Sequence, residues 1–165
     1  MRVKLQIATP ADATDLMWLR NATSQLLTSQ YGKGPWSAQS TEKGVLFGMR
    51  MGTVFVARRR SRLIASLALS KRKPWAIDRK YFSPSERPLY LTGMAVSPDE
   101  QRKGIGRLCI EEARRVAKKW PGDAIRLDAF DAEAGAGEFY CKCGFHEVGR
   151  VSYRGAPLIY FEMLL

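Results

Sequence analysis

Residues 89–120 read LYLTGMAVSPDEQRKGIGRLCIEEARRVAKKW, and the reading of this stretch decides the rest. Leu89, Leu91 and Gly93 alternate with Tyr90, Thr92 and Met94, and Val96 closes the run before Ser97-Pro98. That is the pattern of a strand ended by a proline turn. A glycine-rich loop follows, Gln101-Arg102-Lys103-Gly104-Ile105-Gly106. Ile105, Leu108, Cys109, Glu112, Ala113, Val116, Ala117 and Trp120 then recur at helical spacing, all apolar but Glu112. The spacing predicts a helix of about four turns with one buried face. Pro121-Gly122 stops it.

A glycine-rich loop between a strand and a helix start is an anion site for a physical reason. The first amides of a helix have no partners within it, and the helix dipole is positive there. Glycine lets the backbone close on a phosphate without a Cβ in the way. Arg102, Lys103 and Arg107 add formal charge at the same place. The spacing is not that of a P-loop, because no Gly-Lys-Ser/Thr is present. It is not the dinucleotide fingerprint either, since Gly-x-Gly has no third glycine after it.

These residues carry a resemblance. Met94-Ala95-Val96-Ser97-Pro98 followed by Gln101-Arg102-Lys103-Gly104-Ile105-Gly106 resembles the acyl-CoA loop of the GCN5-related N-acetyltransferases, whose signature Gln/Arg-x-x-Gly-x-Gly/Ala is met by Gln101, Gly104 and Gly106. Downstream, Phe139-Tyr140-Cys141-Lys142-Cys143-Gly144-Phe145 is similar to the family's Tyr-x-x-x-Gly-Phe segment. The likeness is sharp from about Leu89 to Phe145; before Leu89 it rests on the order of elements.

Composition bounds the alternatives. The chain has 165 residues, which suits one domain, 1–165, with a real core. It has no apolar run of membrane-spanning length, and its start, Met1-Arg2-Val3-Lys4-Leu5-Gln6, lacks the apolar block of a signal peptide. No membrane association is expected, and the expected location is the cytoplasm. Three cysteines without framework spacing suggest free thiols. One histidine, with no His/Cys pairing, gives no metal site. The formal charge of +11 reads as solubility plus attraction to a polyanionic cofactor, or as a nucleic-acid partner such as RNA, the less favoured of the two.

The rest of the chain supplies the remaining elements. Val3, Leu5 and Ile7 alternate in a first strand. Thr9-Pro10 starts a helix with Ala13, Leu16, Met17 and Leu19 as its buried stripe. Residues 21–40 are polar and read as mostly loop after a short helical extension, with Tyr31 and Trp36 either reaching an acceptor site or anchoring the loop. Thr41-Glu42 caps a second helix with Val45, Leu46 and Met49 inward and Gly52 at its end. Thr53–Arg59 and Leu63–Leu69 form a hairpin whose arginines 58, 59, 60 and 62 are expected to lie on a solvated edge. Residues 71–88 form a long basic loop with Trp75, expected either to border the acceptor pocket or to be a packed flap. A strand Ala124–Phe130, a turn 131–137, a short helix Glu138–Lys142, and strands Phe145–Tyr153 and Leu158–Leu165 complete it. The order is β-α-α-β-β-β-α-β-α-β-β, a mixed α/β chain like the acyl-CoA N-acyltransferase fold, with a mostly antiparallel mixed sheet flanked by helices.

The resemblance implies transfer of an acetyl group from acetyl-CoA, the co-substrate, to an amine by direct attack, with no metal. The acceptor would be a small molecule or a peptide. Cofactor-binding residues carried over are Met94, Ala95, Val96, Gln101, Arg102, Lys103, Gly104, Ile105, Gly106 and Arg107. In the family, the strand bearing Met94 is bulged and splays from its parallel neighbour, and the pantetheine arm lies in the gap like an added strand. Gly93 is compatible with that bulge. Met94 and Val96 would bind through main-chain groups, and an amide near Met94 would face the thioester oxygen. Tyr140 is the expected catalytic residue, a neutral phenol able to give its proton to the leaving thiolate; the competing reading is a core tyrosine. The chain departs from the family where an Asn usually stands seven residues before the tyrosine; here it is Glu133, with Ala136 in its familiar place. Asp128, Asp131, Glu133 or a water remain open as the base. His146 reads as structural, Cys109 as core, and Cys141 with Cys143 as no metal pair. The alternative function is a CoA- or RNA-binding module of the same fold without turnover, and the last strand could pair across a homodimer.

Overall fold

A computed structural model describes residues 2–165. Its elements follow the expected order: β1 Leu5–Ile7, α1 Ala13–Tyr31, α2 Glu42–Met51, β2 Thr53–Arg59, β3 Arg62–Ser70, β4 Pro88–Val96, α3 Ile105–Lys119, β5 Ala124–Phe130, α4 Gly137–Lys142, β6 His146–Tyr153 and β7 Ala156–Leu164. The strands form one sheet in the order β1-β2-β3-β4-β5-β7-β6. Among the described residues only β4 and β5 pair in parallel; every other neighbouring pair is antiparallel.

The sheet is covered on both faces, which is why its central strands read as nearly continuous apolar runs. Side chains alternate across a strand. Val54 and Val56 of β2 therefore meet α1 and α2 through Ala13, Leu16, Leu19 and Val45. Phe55 and Ala57 meet the other face, where Ile105, Cys109, Ile110, Ala113 and Ala117 of α3 pack on Leu67, Leu69, Leu89, Leu91 and Ile125. No helix among the described residues is long and apolar enough to cross a membrane.

Several expectations need correction. Helix α1 runs to Tyr31, through a stretch expected to be mostly loop. Its polar second half is held by the loop that doubles back along it. Asn21 donates to the Ser40 carbonyl and accepts from the Ser40 amide, and Ser24 donates to the Trp36 carbonyl. Leu46 is exposed rather than inward. The hairpin arginines are not simply a solvated edge: Arg58 pairs with Asp12, Arg59 with Glu100 and Arg62 with Asp99, fastening β2–β3 to α1 and to the turn before α3.

Loop 71–88 is packed down along most of its length. Ile77 and Phe82 join Tyr90 and Tyr160 in a separate small core. The amide of Ser83 donates to Glu162, and the amides of Glu86 and Arg87 donate to Asp123. Trp75 stands out from this flap almost fully exposed.

Candidate active site

Strand β4 shapes the site by bulging against one neighbour and parting from the other. On the β3 side, Ala95 faces Ser66 and Thr92 faces Ala68, so Gly93 and Met94 together stand opposite Leu67. This is a β-bulge, which bends and twists its strand. Gly93 has φ +61°, left-handed backbone that glycine adopts at little cost. On the other side, β4 and β5 pair only from Pro88/Ala124 to Tyr90/Arg126. Beyond that β4 continues to Val96 and β5 to Phe130, so the two strands diverge and their facing main-chain groups are left open.

The loop that follows β4 is folded back on the strand end. The Gln101 side chain donates to the Val96 carbonyl at 3.0 Å. Arg102 and Gly104 both have positive φ, +61° and +79°. The first turn of α3 closes with the Leu108 amide on the Gly104 carbonyl at 3.1 Å, so the amides of Ile105, Gly106 and Arg107 precede any bond of that kind. A Cβ at Gly106 would lie 3.0 Å from the Phe139 ring. A side chain there would press on that ring, because α4 packs close.

A cleft of about 510 Å³ lies along this edge. All of the expected cofactor residues line it except Lys103, whose ammonium stands 3.6 Å from buried Glu100 instead. The opposite wall is Ala136, Phe139, Lys142 and Cys143. The α4 side chains were not foreseen, although 136, 139 and 143 share one face of a helix and the signal lay in the spacing. Arg102, Arg107 and Lys142 bring positive charge to the wall, Arg107 beside Glu111 and Lys142 beside Glu138, and among the described residues no carboxylate lines it. Open helical amides and a cationic, acid-free wall suit a pyrophosphate, and the gap between β4 and β5 suits an extended amide-bearing arm.

A second cleft, of about 470 Å³, lies beside it. Phe47, Trp75, Arg20, Arg72, Thr92 and Gly93 are among its walls. Trp75 thus borders a cleft even though the body of its loop is a packed flap. The two clefts have no lining residue in common, yet they end on neighbouring residues of β4, Gly93 and Met94.

Tyr140 lines neither cleft, although Phe139 and Cys143 on either side of it line the first. It is buried, with its ring packed on Phe139, Phe145 and Phe161. Burial, with Asp128 and Cys143 nearby, holds its phenol well above the ordinary tyrosine range. Asp128 sits on β5 past the end of the parallel pairing, and burial raises its carboxyl above the usual carboxylate range. Asp131 is engaged by Arg150 at 3.2 Å, and Glu133 is exposed. His146 is exposed as well. Burial pushes the Cys109 thiol up to about 12, as a core cysteine. Trp36 donates to the Gly32 carbonyl and meets the ring of Phe130 edge-on, anchoring its loop, while Tyr31 is exposed.

The family model described as the acetyltransferase (GNAT) family matches residues 20–145. The chain belongs to the GNAT acetyltransferases. Three solved structures illustrate the shared GNAT fold. A GNAT-family acetyltransferase from Listeria monocytogenes is 18% identical, over 99% of this chain and 95% of that one, with a TM-score of 0.75. A ribosomal-protein-alanine N-acetyltransferase from Brucella melitensis is 16% identical, over 98% and 99%, with a TM-score of 0.72. An acetyltransferase from Bacillus subtilis, in complex with CoA, is 18% identical, over 99% and 98%, with a TM-score of 0.62. No curated protein matches the sequence.

Proposed function

We propose that this chain transfers the acetyl group of acetyl-CoA to an amine by direct attack, with both substrates bound at once. The observation that carries the reading is the divergence of β4 from β5 at a bulge, with the start of α3 at its mouth and a separate cleft on its other side. Acetyl-CoA supplies the activated acetyl group. The amides from Arg102 to Arg107 hold its pyrophosphate, with Arg102 and Arg107 adding charge, and each charge-assisted bond contributes roughly 1.5–3 kcal/mol. Gln101, which lines the cleft, also ties the loop to the strand end through the Val96 carbonyl. Met94, Ala95 and Val96 present main-chain groups to the pantetheine arm, and the Met94 amide faces the thioester oxygen as negative charge grows there.

Two side chains manage protons in this reading. Asp128 takes one from the attacking amine, directly or through a water; its raised pKa brings a carboxylate closer to the useful range. Tyr140 gives one to the departing thiolate, and its raised pKa keeps that proton in place at neutral pH. The three unpaired cysteines fit a reducing, cytoplasmic setting.

The test is thiol release from acetyl-CoA with a panel of amines. Wild type should release CoA with at least one of them. Tyr140→Phe should lower kcat by roughly 10²-fold, the usual scale of a lost acid, while the Kd for CoA stays put. An unchanged kcat at saturating substrates rejects the role of Tyr140. CoA binding with no thiol release for any amine leaves a binding module and rejects the enzyme.

A further inference from the structure

We infer that the acceptor of this transferase is a small amino acid-like molecule whose carboxylate is held by Arg20 and whose apolar side group lies against Phe47 and Trp75. The inference rests on the acetyl-transfer reading and adds the chemical class of the acceptor.

Arg20 lies four residues after Leu16, on the face of α1 that meets the sheet. Its Nε is buried and has no hydrogen-bond partner among the described residues. Its Nη2 would be 3.5 Å from a Cβ placed on Gly93, so the guanidinium covers the bulge where the two clefts end. Burial alone pulls its pKa below the ordinary arginine value, with no carboxylate acting to restore it. Arginine nevertheless stays charged. Arg20 is half-buried, but its Nε is shut from solvent with nothing opposite, a local cost that persists when something else requires it.

The same chain shows what a structural buried arginine looks like. Arg126 has Glu162 at 3.1 Å, the Ser83 carbonyl at 2.6 Å, the Tyr90 hydroxyl at 3.4 Å and the Phe82 ring beneath it. Arg20 has none of these counterparts. The cleft contains no aspartate or glutamate to supply one. Of its other cations, Lys73 is spent on the carbonyls of Pro74 and Ile77, and Arg72 lies against the Met51 sulfur. A ligand oxyanion in this cleft would supply the counterpart that no side chain lining it provides. A carboxylate fits the planar guanidinium fork. A cleft of about 470 Å³ suits a small molecule, and the exposed faces of Phe47 and Trp75 suit an apolar substituent. Anchored beside Gly93, the carboxylate leaves an amine on the adjacent carbon next to Met94, where the thioester is placed in the proposed reaction.

The test uses leucine, methionine and phenylalanine, each as free acid and as primary amide, titrated calorimetrically into the chain saturated with CoA. At least one free acid should bind 10-fold or more tightly than its amide. Arg20→Gln should abolish that preference and leave the CoA Kd unchanged, while Arg20→Lys should keep part of it. Arg20→Met should be no less heat-stable than wild type when free, because an unpaired charge is removed. Equal binding of acids and amides, no binding of any, a preference surviving Arg20→Gln, or a clear fall in Tm of Arg20→Met would each overturn the inference. Thiol release with non-carboxylate amines would leave acetyl transfer standing in those cases, so the two readings fail separately.

Discussion

Gly104 and Gly106 are two residues apart and are glycines for different reasons. Gly104 has φ +79°, and a Cβ there would meet no protein atom, so its requirement is conformational and open toward the cleft. Gly106 has ordinary helical backbone, and what crowds a side chain there is the Phe139 ring. The signature's spacing is legible in the sequence; this division of labour is not, because Phe139 comes from a helix more than thirty residues away. Asp128 makes a prediction at the same scale. Its carboxyl titrates above the ordinary 3.8 in the folded chain, so the fold favours its neutral form. The stability this provides is complete below the unfolded pKa and is lost as pH rises through the folded one. Asp128→Asn should therefore be more stable than wild type at pH 7, with the gap closing below about pH 4. If Asp128 is the base, wild-type kcat/KM should climb with pH through its pKa. The variant should lack that limb and lose roughly 10²-fold or more. Denaturant titrations and pH–rate profiles of both proteins check the two signs.

Among the elements, those with strong periodicity were legible and those held by distant partners were not. The run Ala124–Phe130 and the hairpin halves emerge nearly as read, because alternating or continuous apolar residues state their own burial. The bulge in β4 was expected from the family resemblance, with Gly93 compatible with it. The second half of α1 was not. Residues 21–31 hold Thr, Ser and Asn, which compete with helix by bonding to nearby backbone. They stay helical because the chain at 36–40 returns to satisfy them, a non-local cause that no window of sequence contains. Asn21→Ala removes the donor to the Ser40 carbonyl at 3.1 Å and the acceptor from its amide at 2.7 Å. We expect a loss of about 1–3 kcal/mol in urea denaturation. Faster amide exchange should appear through residues 22–40, and CoA binding should stay unaltered. Exchange unchanged in that segment would mean the helix holds itself.

At the scale of the molecule, the proposed cofactor side is built from contiguous sequence and the proposed acceptor side is not. Met94 to Arg107 forms most of one cleft wall in a single stretch, whereas the other cleft draws Arg20 from α1, Phe47 from α2 and Trp75 from the long loop. Contiguity is why a short motif announced the first, and its lack is why Arg20 went unnoticed. It also makes the acceptor side sensitive to distant anchors. The flap carrying Trp75 is tied to the sheet by the buried pair Arg126–Glu162, with Glu162 accepting the Ser83 amide and Arg126 donating to the Ser83 carbonyl. Glu162→Gln keeps the shape and removes the charge, leaving Arg126 uncompensated in the interior. Breaking such a pair from one side costs about 3–5 kcal/mol. The CoA cleft shares none of these residues, so at temperatures where the variant remains folded its CoA Kd should match wild type, while the acceptor KM rises. Equal loss at both substrates would mean that the flap and the cofactor cleft move as one unit, and that the two sides of β4 are not independent.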